Sequence, residues 1–319
     1  KIIEGIHPGE HRKAARRRQL LGGDGVFSQL FKVWFEWWKG DKTPGTVEAV
    51  EKRIKRHLLP ALGKKNGNAL SEGDFKDLAE KIEEEHGPEV AKRSLHNCGQ
   101  IMRFAKSRRL IEKNPMLGLK VSETIKPRKS IRHARLEASE IPVLLRKIDV
   151  YQQDSTRYAL KILSLTFVRT MELLNAEWSE FDFDKCLWRI PDKRMKMGLD
   201  HIVPLSTQVL KELSELRKLS EKKITPLNEM LFGGEGPGKR NKILNALYSM
   251  GYRGKMTGHG FRGIAATVLA ELRFPNAHIE IQLAHKPPGP YNAAEYLADR
   301  AEMMQAWANH LDKLKERSC

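Results

Sequence analysis

The chain has 319 residues, enough for two domains that each bury a core, and its 57 Lys and Arg against 40 Asp and Glu give a formal charge of +17. Such an excess predicts a polyanionic partner, DNA or RNA, whose condensed counterions a basic surface releases. No apolar run approaches the roughly 20 residues that span a bilayer, no signal-peptide pattern opens the chain, and Cys98, Cys186 and Cys319 lack the paired spacing of a zinc site or disulfide framework, so a soluble cytoplasmic protein is expected.

Residues 1–26 contain the basic run Arg16-Arg17-Arg18 and little apolar periodicity, and read as a linker. From Phe27 to about residue 121 the pattern is helical. It opens on the aromatic cluster Phe31, Trp34, Phe35, Trp37 and Trp38, which is core by default. After Thr43-Pro44-Gly45, the residues Val47, Val50, Ile54 and Leu58 share one helical face and leave Lys52, Arg53, Lys55 and Arg56 for solvent or phosphate. A later segment repeats the arrangement, with Leu95, Cys98, Met102 and Ala105 as its stripe and Arg103 and Lys106 among the cations around it. Two basic helices in one small helical domain suggest phosphate contact.

Residues 122–135 are polar, basic and broken by Pro127, as in an interdomain linker, and Lys126, Arg128 and Lys129 would suit a strap along a nucleic-acid backbone. The second domain, residues 136–319, opens with Ser139 as a candidate cap for a helix through Arg146. A largely apolar helix over roughly Arg157 to Phe167 follows, without a polar face and therefore buried. Leu187–Ile190, Arg194–Met197 and His201–Pro204, separated by turn-forming residues, predict a small three-stranded antiparallel sheet. Helical patterns resume at Thr207 and run, with interruptions, to the end. The fold class expected is mainly α, with two domains and one small sheet.

Gly233–Arg240 comes close to a nucleotide-binding P-loop, but Arg240 stands where Ser or Thr must ligate magnesium and Pro237 removes a backbone N–H. A surface loop is the better account. No His-Glu-x-x-His or carboxylate cluster supports a metal hydrolase, so neither metal nor cofactor is expected. His259 and Arg262 lie at helical spacing beside a helix N-terminus, where the dipole and free N–H groups favour an anion.

Several segments occur together in one order: Leu165–Arg169 with Glu172-Leu173, Ala176–Glu180, Arg194–Met197 with His201–Ser206, His259–Arg262, Gln282–His285, and Tyr291-Asn292 with Glu295-Tyr296-Leu297. In this the chain resembles the tyrosine recombinases, specifically phage-type and genomic-island integrases, over nearly all of residues 27–319. The resemblance implies a helical core-DNA-binding domain at 27–121 and a catalytic domain at 136–319. It implies a DNA-strand-exchange enzyme working through a 3′-phosphotyrosine without metal or ATP. Arg169 and Arg262 would grip the scissile phosphate with guanidinium forks that stay charged. Lys196 would protonate the departing 5′ oxygen. His259 and His285 would assist proton transfer, and Glu172 would support Arg169.

A phenol with a pKa of roughly 10 needs nearby positive charge to attack, which these groups would supply. Tyr291 and Tyr296 follow His285 by six and eleven residues, straddling the family's customary interval. The Tyr-Asn-x-x-Glu-Tyr-Leu context favours Tyr291, with Tyr296 the alternative. Gly5-Ile6-His7-Pro8 resembles the end of the family's arm-binding domain, so residues 1–26 are expected to be its remnant. The partners implied are double-stranded attachment sites, a homotetramer on DNA that is monomeric away from it, DNA-bending proteins and an excisionase, all at a bacterial nucleoid. A type IB topoisomerase and a catalytically silent DNA-binding regulator on the same fold are the alternatives.

Overall fold

The structure, a computed structural model, describes residues 25–126, 136–195, 198–221, 229–233, 239–285 and 296–316. It is mainly helical and divides into two compact units, residues 1–130 and 131–319, each with its own core. Lys196, Tyr291, Arg128, Lys129, the basic N-terminal run and most of the glycine-rich stretch after Gly233 lie outside the described residues.

In the first unit, α1 (Phe27–Trp38) buries Phe27, Leu30, Phe31, Trp34 and Phe35, the i, i+3, i+4, i+7, i+8 stripe of a core-facing helix. Phe31, Trp34 and Phe35 of the aromatic cluster are thus core, and Trp38, partly buried, packs against it. Trp37 falls off the stripe, is 60% exposed, and meets Phe104 with ring centroids 5.0 Å apart. Helix α2 (Pro44–Arg53) starts on Pro44, whose missing N–H is no loss there, and runs on through a π turn, Ile54–Leu58, that keeps Ile54 and Leu58 fully buried.

Helix α3 (Glu72–His86) begins at a reciprocal cap in which Ser71 Oγ accepts from Asp74 N and Asp74 accepts from Ser71 N at 2.8 Å. It ends at Gly87, whose φ of +85° only glycine takes readily, and Pro88 opens α4 (Pro88–Ser107) at once. The expected stripe Leu95, Cys98, Met102, Ala105 is buried. The first residues of the expected linker behave otherwise: Val121–Thr124 is a helical turn against α3, and the apolar Ile125 is buried in this core.

The second unit is organised around α6 (Asp154–Thr166), whose Ala159, Leu160, Ile162 and Leu163 are fully buried. Helix α5 (Ile141–Asp149) packs on it. Ser139 is not the cap; it lies in a 3₁₀ turn, Ala138–Glu140, and Glu140 precedes the helix, whose first turn carries Pro142. The sheet has the order β1 (Phe181–Asp182), β2 (Leu187–Ile190), β3 (His201–Pro204), all antiparallel. Of the predicted strand Arg194–Met197, the described residues Arg194 and Met195 are not strand. Asp192–Arg194 is a 3₁₀ turn closed by Met195 N to Asp192 O at 2.8 Å, and Arg194 is drawn to Glu180 and to Glu172 O. The third strand is Phe181–Asp182, held by the Phe181 ring stacked on Trp188 at 5.1 Å.

Helices α7 (Thr170–Leu174), α8 (Thr207–Glu221), α9 (Lys242–Ser249), α10 (Gly260–Glu271), α11 (Asn276–Gln282) and α12 (Leu297–Glu316) complete the unit. Helix α12 buries Met303, Met304, Trp307 and Leu311 in its own unit, and Trp307 Nε1 donates to Ser164 O at 2.9 Å. Among the described residues no helix is long and apolar enough to cross a membrane.

Candidate active site

Helix α6 ends at Phe167, a non-glycine residue at φ +41°, whose N–H returns to Leu163 O at 2.8 Å while its ring is held edge-on against Trp307. That left-handed step turns the chain so that Arg169 becomes the cap residue of α7. Glu172, 5% exposed, accepts from Arg169 N at 2.9 Å and from Arg169 Nη1 at 2.7 Å. The other end of the guanidinium, Nη2, donates to Ala284 O at 3.0 Å.

Arg262, on the first turn of α10, is 3% exposed and bridges two loops, with Nη1 donating to Phe167 O at 2.9 Å and Nη2 to Leu283 O. Both arginines therefore end on consecutive carbonyls, Leu283 and Ala284, which follow α11 and have no helical partner of their own. Burial first, and the neighbouring Arg169 charge second, push the Arg262 pKa down to about 10. Glu172 and Glu280 act in the opposite direction, and an anion bound beside the guanidinium would favour its charged form further.

His285 comes directly after those two carbonyls. It is exposed, and its Nδ1 lies 3.3 Å from Glu280 Oε2. His259 is the exposed residue preceding α10, whereas Arg262, one turn on, is buried and held by main-chain carbonyls. Gly258 brings this turn close to α7, since a Cβ there would sit 2.4 Å from Thr170 Oγ1. Arg169, Glu172, Arg262 and His285 are thus joined through one short stretch of backbone, and His259 follows Gly258, the residue that approaches α7. Tyr296 is 43% exposed and its ring lies 4.6 Å from that of His278.

Behind the carbonyls lies a layer that residue patterns alone did not assign. His201 Nε2 is 3.1 Å from Gln282 O, and buried Arg300 donates from Nη2 to Gln282 Oε1 at 2.6 Å and to Ile202 O. Burial, then the Arg300 charge, lowers the His201 pKa to about 3, so this imidazole is neutral. Among the described residues no group of three or more His, Cys, Asp or Glu is placed to hold a metal ion.

In the first unit Lys52, Lys55, Arg56, Arg103 and Lys106 are exposed, and Lys55 pairs with Glu51 at 2.6 Å. Arg53 is half-buried and donates to Asn97 Oδ1 of α4 at 2.9 Å, so it ties the two basic helices together. Lys126 is exposed.

The phage integrase family matches residues 134–293, and the phage integrase central domain matches residues 27–121. The integrase of Enterobacteria phage P4 is 32% identical over 339 residues, covering 98% of this chain and 74% of its own length. Prophage integrase IntS of Escherichia coli (strain K12) is 29% identical, covering 99% and 81%. Among solved structures, a lambda integrase tetramer bound to a Holliday junction has a TM-score of 0.66 at 14% identity, over 91% of this chain and 86% of that one. The Tn1549 transposon integrase in complex with circular intermediate DNA has 0.65 at 17%, over 87% and 99%. At those identities the structural likeness speaks for the fold, while the sequence matches speak for descent. The chain belongs to the phage integrase family and is a site-specific tyrosine recombinase.

Proposed function

We propose that this protein integrates or excises a mobile element by cutting and rejoining DNA at attachment sites through a 3′-phosphotyrosine intermediate. The observation that carries the reading is the pair of guanidiniums, Arg169 and Arg262, fixed by the consecutive carbonyls of Ala284 and Leu283 beside His285. Two planar cations held in place by main-chain carbonyls, Arg262 buried and Arg169 partly exposed, suit a phosphate whose charge grows in the transition state.

In this reading Arg169 and Arg262 hold the non-bridging oxygens, and Glu172 keeps Arg169 in place. Tyr291 attacks phosphorus, with Tyr296 as the alternative nucleophile, and the Tyr–P bond replaces the P–O5′ bond. Lys196 delivers the proton that the departing 5′ oxygen takes up, while His259 and His285 assist proton movement and hydrogen-bond the phosphate. A 5′-hydroxyl from the partner strand then reverses the step, regenerating the tyrosine. Bond energy is kept in the phosphotyrosyl link, so ATP and metal are not required.

Residues 27–121 would act as the core-DNA-binding domain and 136–319 as the catalytic domain. Lys52, Arg53, Lys55, Arg56, Arg103 and Lys106 would serve phosphates, with Lys126, Arg128 and Lys129 in the strap between domains. A homotetramer on DNA, DNA-bending partners, an excisionase and a place at the bacterial nucleoid complete the reading. The relatives named as integrases favour strand exchange over relaxation of one duplex. The test is incubation with a nicked core-site duplex in EDTA. A covalent protein–DNA adduct with release of a free 5′-hydroxyl is expected, and non-covalent binding alone would sink the proposal.

A further inference from the structure

We propose that Arg194 is a positioning residue for the phosphate clamp, acting through Glu172 on Arg169; this rests on the reading of Arg169 as a phosphate ligand. Arg194 closes the 3₁₀ turn after β2, and its side chain is 15% exposed. One end of the guanidinium, Nη1, donates to Glu172 O at 2.9 Å, and the other, Nη2, pairs with Glu180. Glu180, whose side chain is 7% exposed, also accepts from Trp188 Nε1 at 2.9 Å. Arg194 thus joins the sheet to the residue that grips Arg169.

Helix α7 explains why such a link is needed. At five residues it is little more than the nucleating turn of a helix and cannot hold its own orientation. Asn175 N returns to Met171 O and Ala176 N to Leu173 O, so neither takes the carbonyl of Glu172 at this helix end, and Arg194 does. The side chain of that same Glu172 accepts both Arg169 N and Arg169 Nη1. Main chain and side chain of one residue therefore couple Arg194 to Arg169.

A buried ion pair is a poor source of stability, because desolvation offsets its attraction and an apolar pair of like volume is often as stable. Burial, the leading influence on the Glu180 carboxyl, raises its pKa despite Trp188 and Arg194. A pair kept under those conditions is better explained by geometry: it fixes where the turn bearing Glu172 stands relative to the sheet.

The test is single-turnover cleavage of nicked duplexes that differ at the scissile group. One carries the ordinary phosphate. A second carries a methylphosphonate, which lacks a charged non-bridging oxygen and so relieves the need for a guanidinium. A third carries a 5′-bridging phosphorothiolate, whose thiolate departs without being protonated.

Arg194→Ala is expected to cut the phosphate roughly 10- to 100-fold more slowly, in line with loss of a buried charge-assisted hydrogen bond. The methylphosphonate should close most of that gap, as it should for Arg169→Ala, and the phosphorothiolate should not. Rescue by the phosphorothiolate in place of the methylphosphonate would assign Arg194 to leaving-group protonation and overturn the proposal. Equal loss on all three substrates would make its role structural only and overturn it as well. Arg194→Lys, which keeps a cation for Glu180 but lacks the fork, guards against an alanine variant that melts early, and should show the same substrate pattern with a smaller loss. If the methylphosphonate fails to help Arg169→Ala, the phosphate-ligand reading itself falls and takes this proposal with it.

Discussion

Gly258 is the position where a single methyl group should be felt most sharply. An added Cβ would lie 2.4 Å from Thr170 Oγ1 and 3.3 Å from Ile243 Cγ2, against 3.4 Å or more for ordinary contact. Thr170 is the first residue of α7 and its hydroxyl is on a short side chain, so the backbone around Gly258 must retreat from α7 by about 1 Å in Gly258→Ala. Overpacking of that size destabilises by about 1–3 kcal/mol, or roughly 2–10 °C in melting temperature for a unit of this length. The same retreat moves His259 and the start of α10 relative to Arg169, and a 1 Å misplacement lowers a rate roughly 100-fold.

Thermal melting and single-turnover cleavage read the two effects separately. Thr170→Ala removes the clashing oxygen, so Gly258→Ala/Thr170→Ala should recover most of both losses, with a coupling of about 1–2 kcal/mol in a double-mutant cycle. Only the tight contact with Ile243 would remain. Strictly additive losses would refute the argument that the Gly258–Thr170 approach is what the added methyl group disturbs.

Arg262→Lys should remain folded yet cleave roughly 100-fold more slowly, because one amine cannot span Phe167 O and Leu283 O as the guanidinium does; near-normal cleavage would contradict that. Buried His201 is neutral when folded, with a pKa of about 3, whereas its unfolded imidazole titrates near 6.5. The unfolded state therefore binds the extra proton between those values, and stability should fall as pH drops below the unfolded value, by about 2 kcal/mol at pH 5. His201→Gln should remove that component, and an unchanged pH slope in melts would count against it. For DNA binding, Lys52→Ala and Arg56→Ala should each reduce the slope of log K against log salt by about 0.9 if each meets one phosphate. Arg53→Ala should in addition lower the melting temperature through loss of its bond to Asn97, and a purely electrostatic effect would contradict this.

The helical stripes were legible in the sequence because burial repeats at helical spacing, and Phe27 to Phe35 and Leu95 to Ala105 follow it closely. Arg194 and Met195 were misread as strand because Arg194–Met197 alternates like one, while Arg194 is recruited by Glu180 and Glu172, partners distant in sequence. Ser139 failed as a cap for a similar reason, since a 3₁₀ turn intervenes before α5. Of the site, the types and order of Arg169, Glu172, Arg262 and His285 could be read from motifs. Their means of support could not. The carbonyls of Leu283 and Ala284, the neutral His201 and the buried Arg300 act through backbone atoms and burial, which leave no residue pattern.

Covalent trapping with the two tyrosine variants tests the central claim most directly. A nicked suicide duplex that loses its short 5′-hydroxyl fragment on cleavage is offered to the wild type, Tyr291→Phe and Tyr296→Phe side by side. The expected result is a phosphotyrosyl adduct with the wild type and with Tyr296→Phe, and none with Tyr291→Phe. Loss of the adduct in Tyr296→Phe alone would reassign the nucleophile, and absence of any adduct with a folded, DNA-binding wild type would contradict the account of cleavage itself.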